Sequence, residues 1–494
     1  MFSKLTNWLE ATASRPRTPS VADPLDDVLF NLSPSDPFRI RDACESVAVF
    51  GAPGSAKTSG VLKTLAFSML RKGFGFLVLS AKADEPLQWG QWVDRNRRGG
   101  DLVYFGDVDE TGGDFPAINF LDYELKHGAA QGSTANLTSL LMTVAKVGER
   151  HAHNSGNKDY YDNLAKILLT NVLDVLRYSE ASISMQNIYA VLHSLPSCRA
   201  DMDNPLFRQE STACQLIDEA IKRAPESRKY DVQVAKEYLT RTWPAFDQEP
   251  RSIVLSVITT MTDAFQRFPL RQLFCEKTTI SPEDILERGM VLVCSPAISV
   301  KTLDTGGKFA QVLLKTIIQR AVERQAAIRH APEARPVCIF EDEAQFFLTD
   351  REKDFLQSSR SAKCVTVLAS QSLPNYYSLL GQHEVHATLS CCGTKVFHSN
   401  GCTVTNEWAS KSIAQASTFL ASGSMNSARE RSTNAGVSEQ MQDACPTNIF
   451  LGLRKGGIPP YRPQAVVMVP GRTFAAAYNR RHPHWLIAEF DQNL

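Results

Sequence analysis

The chain has 494 residues, 43% of them apolar and 21% charged, with 53 basic residues balancing 53 acidic ones. That length exceeds one compact core and calls for two or three units of roughly 100–200 residues each. The zero net charge argues against an overall electrostatic attachment to nucleic acid and leaves room only for a local basic surface.

Further exclusions follow from patterning. No run of about 18 apolar residues exists, so no membrane span is expected. The N-terminus, MFSKLTNWLEATASRPRTPS, lacks the long apolar core of a signal peptide. None of the eleven cysteines forms a C-x-x-C pair, which argues against a zinc ribbon and suits a reducing compartment. Cys294, Cys338 and Cys364 sit in apolar runs and read as small core residues. The adjacent Cys391 and Cys392 read as neighbours at a strand start, with a reactive pair as the alternative.

Residues 1–37 read as an amphipathic start, with Phe2, Leu5, Trp8 and Leu9 on one helix face, followed by a linker with prolines at 16, 19, 24, 34 and 37. The apolar run VAVF (47–50) then predicts a strand. It leads into GAPGSAKTSG, and apolar residues at 61, 62, 65, 66, 69 and 70 predict a helix up to Gly73. Continuous apolarity in FGFLVLS (74–80) predicts a strand covered on both faces, as in a parallel sheet. DLVYFG (101–106) predicts another.

Strand-like runs almost vanish from about 123 to 288. YYDNLAKILLTNVLDVLRY (160–178) carries Leu164, Ile167, Leu168, Val172, Val175 and Leu176 at helical spacing, and 252–268 is helix-compatible. This span reads as an all-α insertion. Sheet character returns with MVLVCS (290–295), a helix at about 305–329, then VCIFEDE (337–343), CVTVLASQS (364–372), TKVFHS (394–399) and QAVVMV (464–469). Alternating strands and helices predict an α/β fold with a mainly parallel, doubly wound sheet.

Two motifs carry chemistry. Gly51 to Ser59 follow the phosphate-loop pattern G-x-x-x-x-G-K-[ST]: Gly51, Ala52, Pro53, Gly54, Ser55, Ala56, Lys57, Thr58 and Ser59. Such a loop aims backbone N–H groups and a helix N-terminus at phosphates; the lysine neutralises their charge and the hydroxyl holds Mg²⁺. Ala56 stands where the pattern has glycine. If that position needs positive φ, alanine costs on the order of 1 kcal/mol; if not, it costs little. The second motif is the acidic end of VCIFEDE. One frame takes Asp342 for the metal and Glu343 as the base that activates water; the other takes Glu341 and Asp342. Asp at the metal side favours the first. Gln371, ending the next strand, is placed to sense a γ-phosphate.

Taken together these segments resemble the type IV secretion coupling proteins, hexameric ATPases of bacterial conjugation within the FtsK/HerA class of P-loop pumps. The resemblance runs over roughly residues 40–470. It rests on GAPGSAKTSG, on LSAKADE (79–85) with Lys82 and Glu85, and on PAINFLD (116–122). It rests also on DYYDNLAKILLTNVL (159–173), VCIFEDEAQFF, RSAKCVTVLASQSLPNYYSLLG (360–381) and TKVFHSNGCTVTNEWASKSIA (394–414).

The resemblance implies a RecA-like nucleotide-binding domain (38–122 and 289–494) and an inserted, substrate-facing all-α domain (123–288), assembled as a homo-hexamer. It implies ATP and Mg²⁺ as cofactors. The partners would be single-stranded DNA with a relaxase, or an effector protein, and a membrane secretion channel reached from the cytoplasmic face. A hexameric ATPase needs an arginine from its neighbour, and Arg360 is the candidate by position. Arg95, Arg97 and Arg98, Arg454 with Lys455, and Arg480 with Arg481 are candidate basic patches. Two other readings stand beside this one: a cytosolic HerA/FtsK-like DNA pump, and a weakly hydrolysing recruitment scaffold.

Overall fold

The computed structural model describes residues 23–109, 113–128, 134–148, 158–179, 181–413, 415–425, 433–478 and 482–494. Phe2, Leu5, Trp8, Leu9, Arg480 and Arg481 lie outside them. The strands in chain order are β1 (Val28–Ser33), β2 (Asp36–Arg39), β3 (Val47–Phe50), β4 (Gly75–Leu79), β5 (Leu102–Phe105), β6 (Val291–Cys294) and β7 (Val337–Glu341). They continue with β8 (Cys364–Ser370), β9 (Thr394–His398), β10 (Gln415–Met425), β11 (Thr433–Asp443), β12 (Gln464–Met468) and β13 (Trp485–Glu489).

Nine of them form one sheet in the order β13-β12-β9-β3-β8-β7-β4-β6-β5. The seven from β9 to β5 run parallel, and β12 and β13 close one edge antiparallel. Strands β3, β4, β6, β7, β8 and β9 are buried along their whole length, the physical counterpart of their unbroken apolar runs. The order places β8 between β3 and β7. The phosphate-loop strand and the acidic strand are therefore not neighbours, and the end of β8 falls between their ends.

Odd and even positions of β7 face different cores. Cys338 and Phe340 pack with helices Lys63–Arg71 and Glu85–Arg95, whereas Val337 and Ile339 pack with helix Thr305–Arg324 and the helical span. Among the described residues, no strand lies between Phe105 and Val291; the main helices there are Thr134–Gly148, Lys158–Tyr178, Thr212–Arg223 and Gln248–Ala264. The span shares one continuous core with helix Thr305–Arg324. Arg320 and Arg324 of that helix pair with the buried Glu124 at 3.2 and 3.0 Å. In helix Lys158–Tyr178, Leu164, Leu168, Val172, Val175 and Leu176 are buried as expected, but Ile167 is 44% exposed. The helical period carries it off the buried stripe.

The stretch read as linker is partly structured. Val28–Ser33 and Asp36–Arg39 pair antiparallel, and the Phe30 and Phe38 rings pack tilted at 35° with centroids 5.0 Å apart. Pro37 is tolerated because this two-stranded ribbon has free edges. The long hairpin β10–β11 was not anticipated. No helix among the described residues is long and apolar enough to cross a membrane.

Candidate nucleotide site

Strand β3 delivers Gly51 into a space only glycine fits. A Cβ there would lie 2.5 Å from Ser55 Oγ and 2.7 Å from His398 Cβ. The loop is stitched to both flanking strands: Gly51 N–H donates to the Ser370 carbonyl (3.3 Å) and Ala52 N–H to the Ser399 carbonyl (3.0 Å). Gly54 turns with φ +73° and Ala56 with φ +66°. The question at position 56 is thus answered: the backbone there is left-handed, and alanine carries strain on the order of 1 kcal/mol.

A second glycine accommodates the Ala56 methyl. A Cβ added to Gly456 would sit 2.3 Å from Ala56 Cβ and 2.8 Å from Gln492 Nε2. The C-terminal segment clamps the same side of the loop. Gln492 Nε2 donates to Ser59 Oγ (2.6 Å), its Oε1 accepts from Gly457 N–H (2.9 Å), and its carbonyl accepts from Lys63 Nζ (2.9 Å).

Across the loop stands the acidic motif. Thr58 Oγ1 donates to Asp342 Oδ2 at 2.7 Å, joining residues 284 apart in sequence. Asp342 is 2% exposed, and its Oδ1 has no hydrogen-bond partner. A buried, unpaired carboxylate oxygen beside a hydroxyl is the hard oxygen donor set that suits Mg²⁺. Lys57 Nζ, equally buried, donates to the Gly51 carbonyl at 2.7 Å. Burial pulls the Lys57 ammonium below its ordinary value, against the opposing pull of Asp342 and Glu343.

Glu343 adopts a left-handed backbone, φ +68°. Its Oε1 accepts from Gln371 Nε2 (3.2 Å) and pairs with Lys82 Nζ (3.2 Å); its Oε2 accepts from Gln345 Nε2 (2.7 Å). Burial pushes this carboxyl up. The donors from Gln345, Gln371 and Lys82 outweigh it, and the group sits below the ordinary carboxylate range. His398, behind Gly51, is held neutral: burial and the nearby Lys57 bring it down to about 3.

Strand alternation separates the three carboxylates. Glu341 faces away from the phosphate loop and pairs with Lys315 at 2.7 Å, and Lys315 pairs with Glu352 at 2.5 Å, all three fully buried. Two carboxylates share one ammonium there, and burial of the excess charge raises Glu341 to about 7. Only Asp342 and Glu343 face the loop.

The structure therefore brings together Lys57, Thr58, Asp342, Glu343 and Gln371, which the sequence had singled out. Arg360 stands apart. It is 65% exposed and pairs with Glu45, before β3, at 3.0 Å, at the end of the sheet opposite the loop. In its own chain it does not reach the site. Lys82, Gln345 and Gln492 were missed as site residues. Lys82 lay in the LSAKADE stretch, whereas nothing in the sequence pointed to Gln492. Within the described candidate basic patches, Arg98 pairs with Asp101 and the Phe74 and Gly289 carbonyls, and Arg454 with Glu489. Cys392 is buried and Cys391 half-buried, which fits the structural reading of the pair.

No protein-family model matches the chain, and no curated protein matches it. Solved structures do. The bacterial conjugative coupling protein TrwBdeltaN70, in complex with sulphate, is 12% identical with a TM-score of 0.60, covering 98% of this chain and 93% of its own. Its unbound form is 14% identical with a TM-score of 0.58, covering 98% and 92%. The plasmid coupling protein TrwB in complex with ADP and Mg²⁺ is 13% identical with a TM-score of 0.56, covering 97% and 90%. The chain has the fold of these conjugative coupling proteins, a RecA-like P-loop domain joined to a helical domain.

Proposed function

We propose that this chain is a Mg²⁺-dependent ATPase that drives single-stranded DNA with its relaxase, or a protein cargo, into a type IV secretion channel. The observation that carries the reading is the Thr58–Asp342 contact with Glu343 bracketed by Lys82 and Gln371 beside it. The phosphate loop after β3, the two adjacent carboxylates after β7 and the Gln371 amide after β8 converge at one end of the sheet. The likeness to TrwB, solved with ADP and Mg²⁺ and with non-hydrolysable GTP and ATP analogues, supports the same ligand class here.

In this reading the loop N–H groups and Lys57 bind the phosphates. Thr58 and Asp342 would hold Mg²⁺, which neutralises phosphate charge when bound. Glu343 takes the proton of the attacking water, and Gln371 senses the γ-phosphate. The helical span 123–288 faces the cargo, and the active form is a homo-hexamer docked at the cytoplasmic face of a membrane partner. Arg360, exposed and away from its own site, is the residue offered to a neighbour's site. The test is ATP turnover with and without single-stranded DNA across protein concentration, beside Lys57→Ala. Turnover that rises with DNA and concentration and is lost in the variant supports the motor. Nucleotide binding without turnover under every condition refutes it.

The strain at Ala56 favours a second reading, a nucleotide-binding scaffold that recruits cargo and hydrolyses little. The buried, fully engaged Glu343 weighs against it, since a scaffold has no physical need for a base.

A further inference from the structure

Glu343 is gripped at both oxygens, and the two grips differ. Oε1 faces Lys82, which also lies 3.8 Å from Asp342, so this oxygen looks toward the metal side of the site. Oε2 is turned away and taken by Gln345 Nε2 at 2.7 Å. An amide can rotate and present either end. Here the choice is set by Glu343, since a carboxylate only accepts: the NH₂ group faces it, and Gln345 Oε1 accepts from Ser370 Oγ at 2.9 Å, a hydroxyl that also lies 3.3 Å from the Ser372 carbonyl. Ser370 is the last residue of β8 and fully buried, so the amide is anchored to the sheet rather than to a loop. Glu343 needs such an anchor. It follows the end of β7 with a left-handed backbone that nothing in the strand ladder dictates.

We propose that Gln345 is a positioning residue for ATP hydrolysis: the relay Ser370–Gln345–Glu343 holds Oε2 so that Oε1 alone is presented to the attacking water. This rests on the ATPase reading above. The hydrogen bonds of the Gln345 side chain run to Glu343 and Ser370, so in this reading it acts through Glu343. Its removal therefore alters the chemical step and leaves nucleotide binding intact. Gln345 is half-buried and lines an open cleft of about 260 Å³ with Lys308, Phe346 and Asn375, so truncating it removes little packing.

The experiment measures steady-state ATP turnover and binding of a fluorescent ATP analogue with the full chain, Gln345→Ala, the shape-matched Gln345→Met, Ser370→Ala and the double variant Gln345→Ala/Ser370→Ala. Thermal melting checks folding, and the methionine variant serves if alanine does not fold. The expected result is a kcat lowered about tenfold or more, with KM and analogue affinity within about twofold, as for a group acting only in the transition state. The double variant is expected to fall no further than Gln345→Ala alone, because the serine acts through the amide. A parent that turns over ATP with Gln345 variants within about twofold of it overturns the inference, as does a rise in KM at unchanged kcat. A parent without any turnover overturns the ATPase reading itself and this inference with it.

Discussion

Replacing Ala56 by glycine tests whether the left-handed turn of the phosphate loop is built in before nucleotide binds. A left-handed alanine costs roughly 1–2 kcal/mol against the right-handed form, and glycine removes that cost. Glycine also enlarges the unfolded ensemble, which takes back about 0.4–1 kcal/mol. The net expectation for Ala56→Gly is a gain of roughly 0.5–1 kcal/mol in stability, read as a higher urea midpoint at unchanged slope. Affinity should behave differently. The left-handed turn at position 56, φ +66°, is packed against Gly456 and the Gln492 clamp, so the strain is expected both before and after binding and cancels. The dissociation constant of a fluorescent ATP analogue with Mg²⁺ should therefore change by less than about twofold. Tightening of about tenfold, or about 1.4 kcal/mol, with no change in urea midpoint would refute the reasoning. It would mean that the empty loop avoids the left-handed turn and incurs the strain only on binding.

Three further outcomes follow from the same geometry. Gly456→Ala places a methyl 2.3 Å from Ala56 Cβ, so nucleotide affinity should fall; combining it with Ala56→Gly removes that contact and should restore most of the loss, in the same fluorescence titration. Glu343→Gln should keep analogue binding and lower kcat by about 100-fold or more, since the amide cannot accept the water's proton. Lys315→Met strands Glu341 and Glu352 without their buried cation and should cost about 3–5 kcal/mol in urea unfolding. The Glu341 carboxyl, already raised to about 7 by burial, is raised further without the lysine. A carboxyl with a raised folded value stabilises at low pH and loses that contribution as pH climbs through the window above its ordinary value. The deficit of Lys315→Met should therefore be larger at pH 8 than at pH 5, and an equal deficit at both would place the charge elsewhere.

Much of the site was legible because its parts are local. Gly51, Lys57 and Thr58 lie within one short loop, and the loop's strand and helix announce themselves by apolar period. The Asp342–Glu343 pair was legible as three carboxylates after a strand. What holds Glu341 away from the loop was not. That depended on Lys315, a lysine inside an apolar helical run, waiting on the opposite face of β7. Arg360 was legible only as a position relative to the acidic motif, and the fold sets it at the other end of the sheet. The pairing of β1 with β2 was hidden by proline content that usually marks linkers.

The sequence by itself determined the α/β class and singled out the helical span and the candidate phosphate loop, because these depend on residue spacing along one element. Tertiary structure alone decided the sign of φ at Ala56, the glycine at 456 that makes room for its methyl, and the Ser370–Gln345–Glu343 relay. The relay joins the ends of β7 and β8, which are neighbours in the sheet, and Gly456 meets Ala56 from a segment far along the chain, between β11 and β12. Spacing within an element carries no information about which distant element will stand next to it.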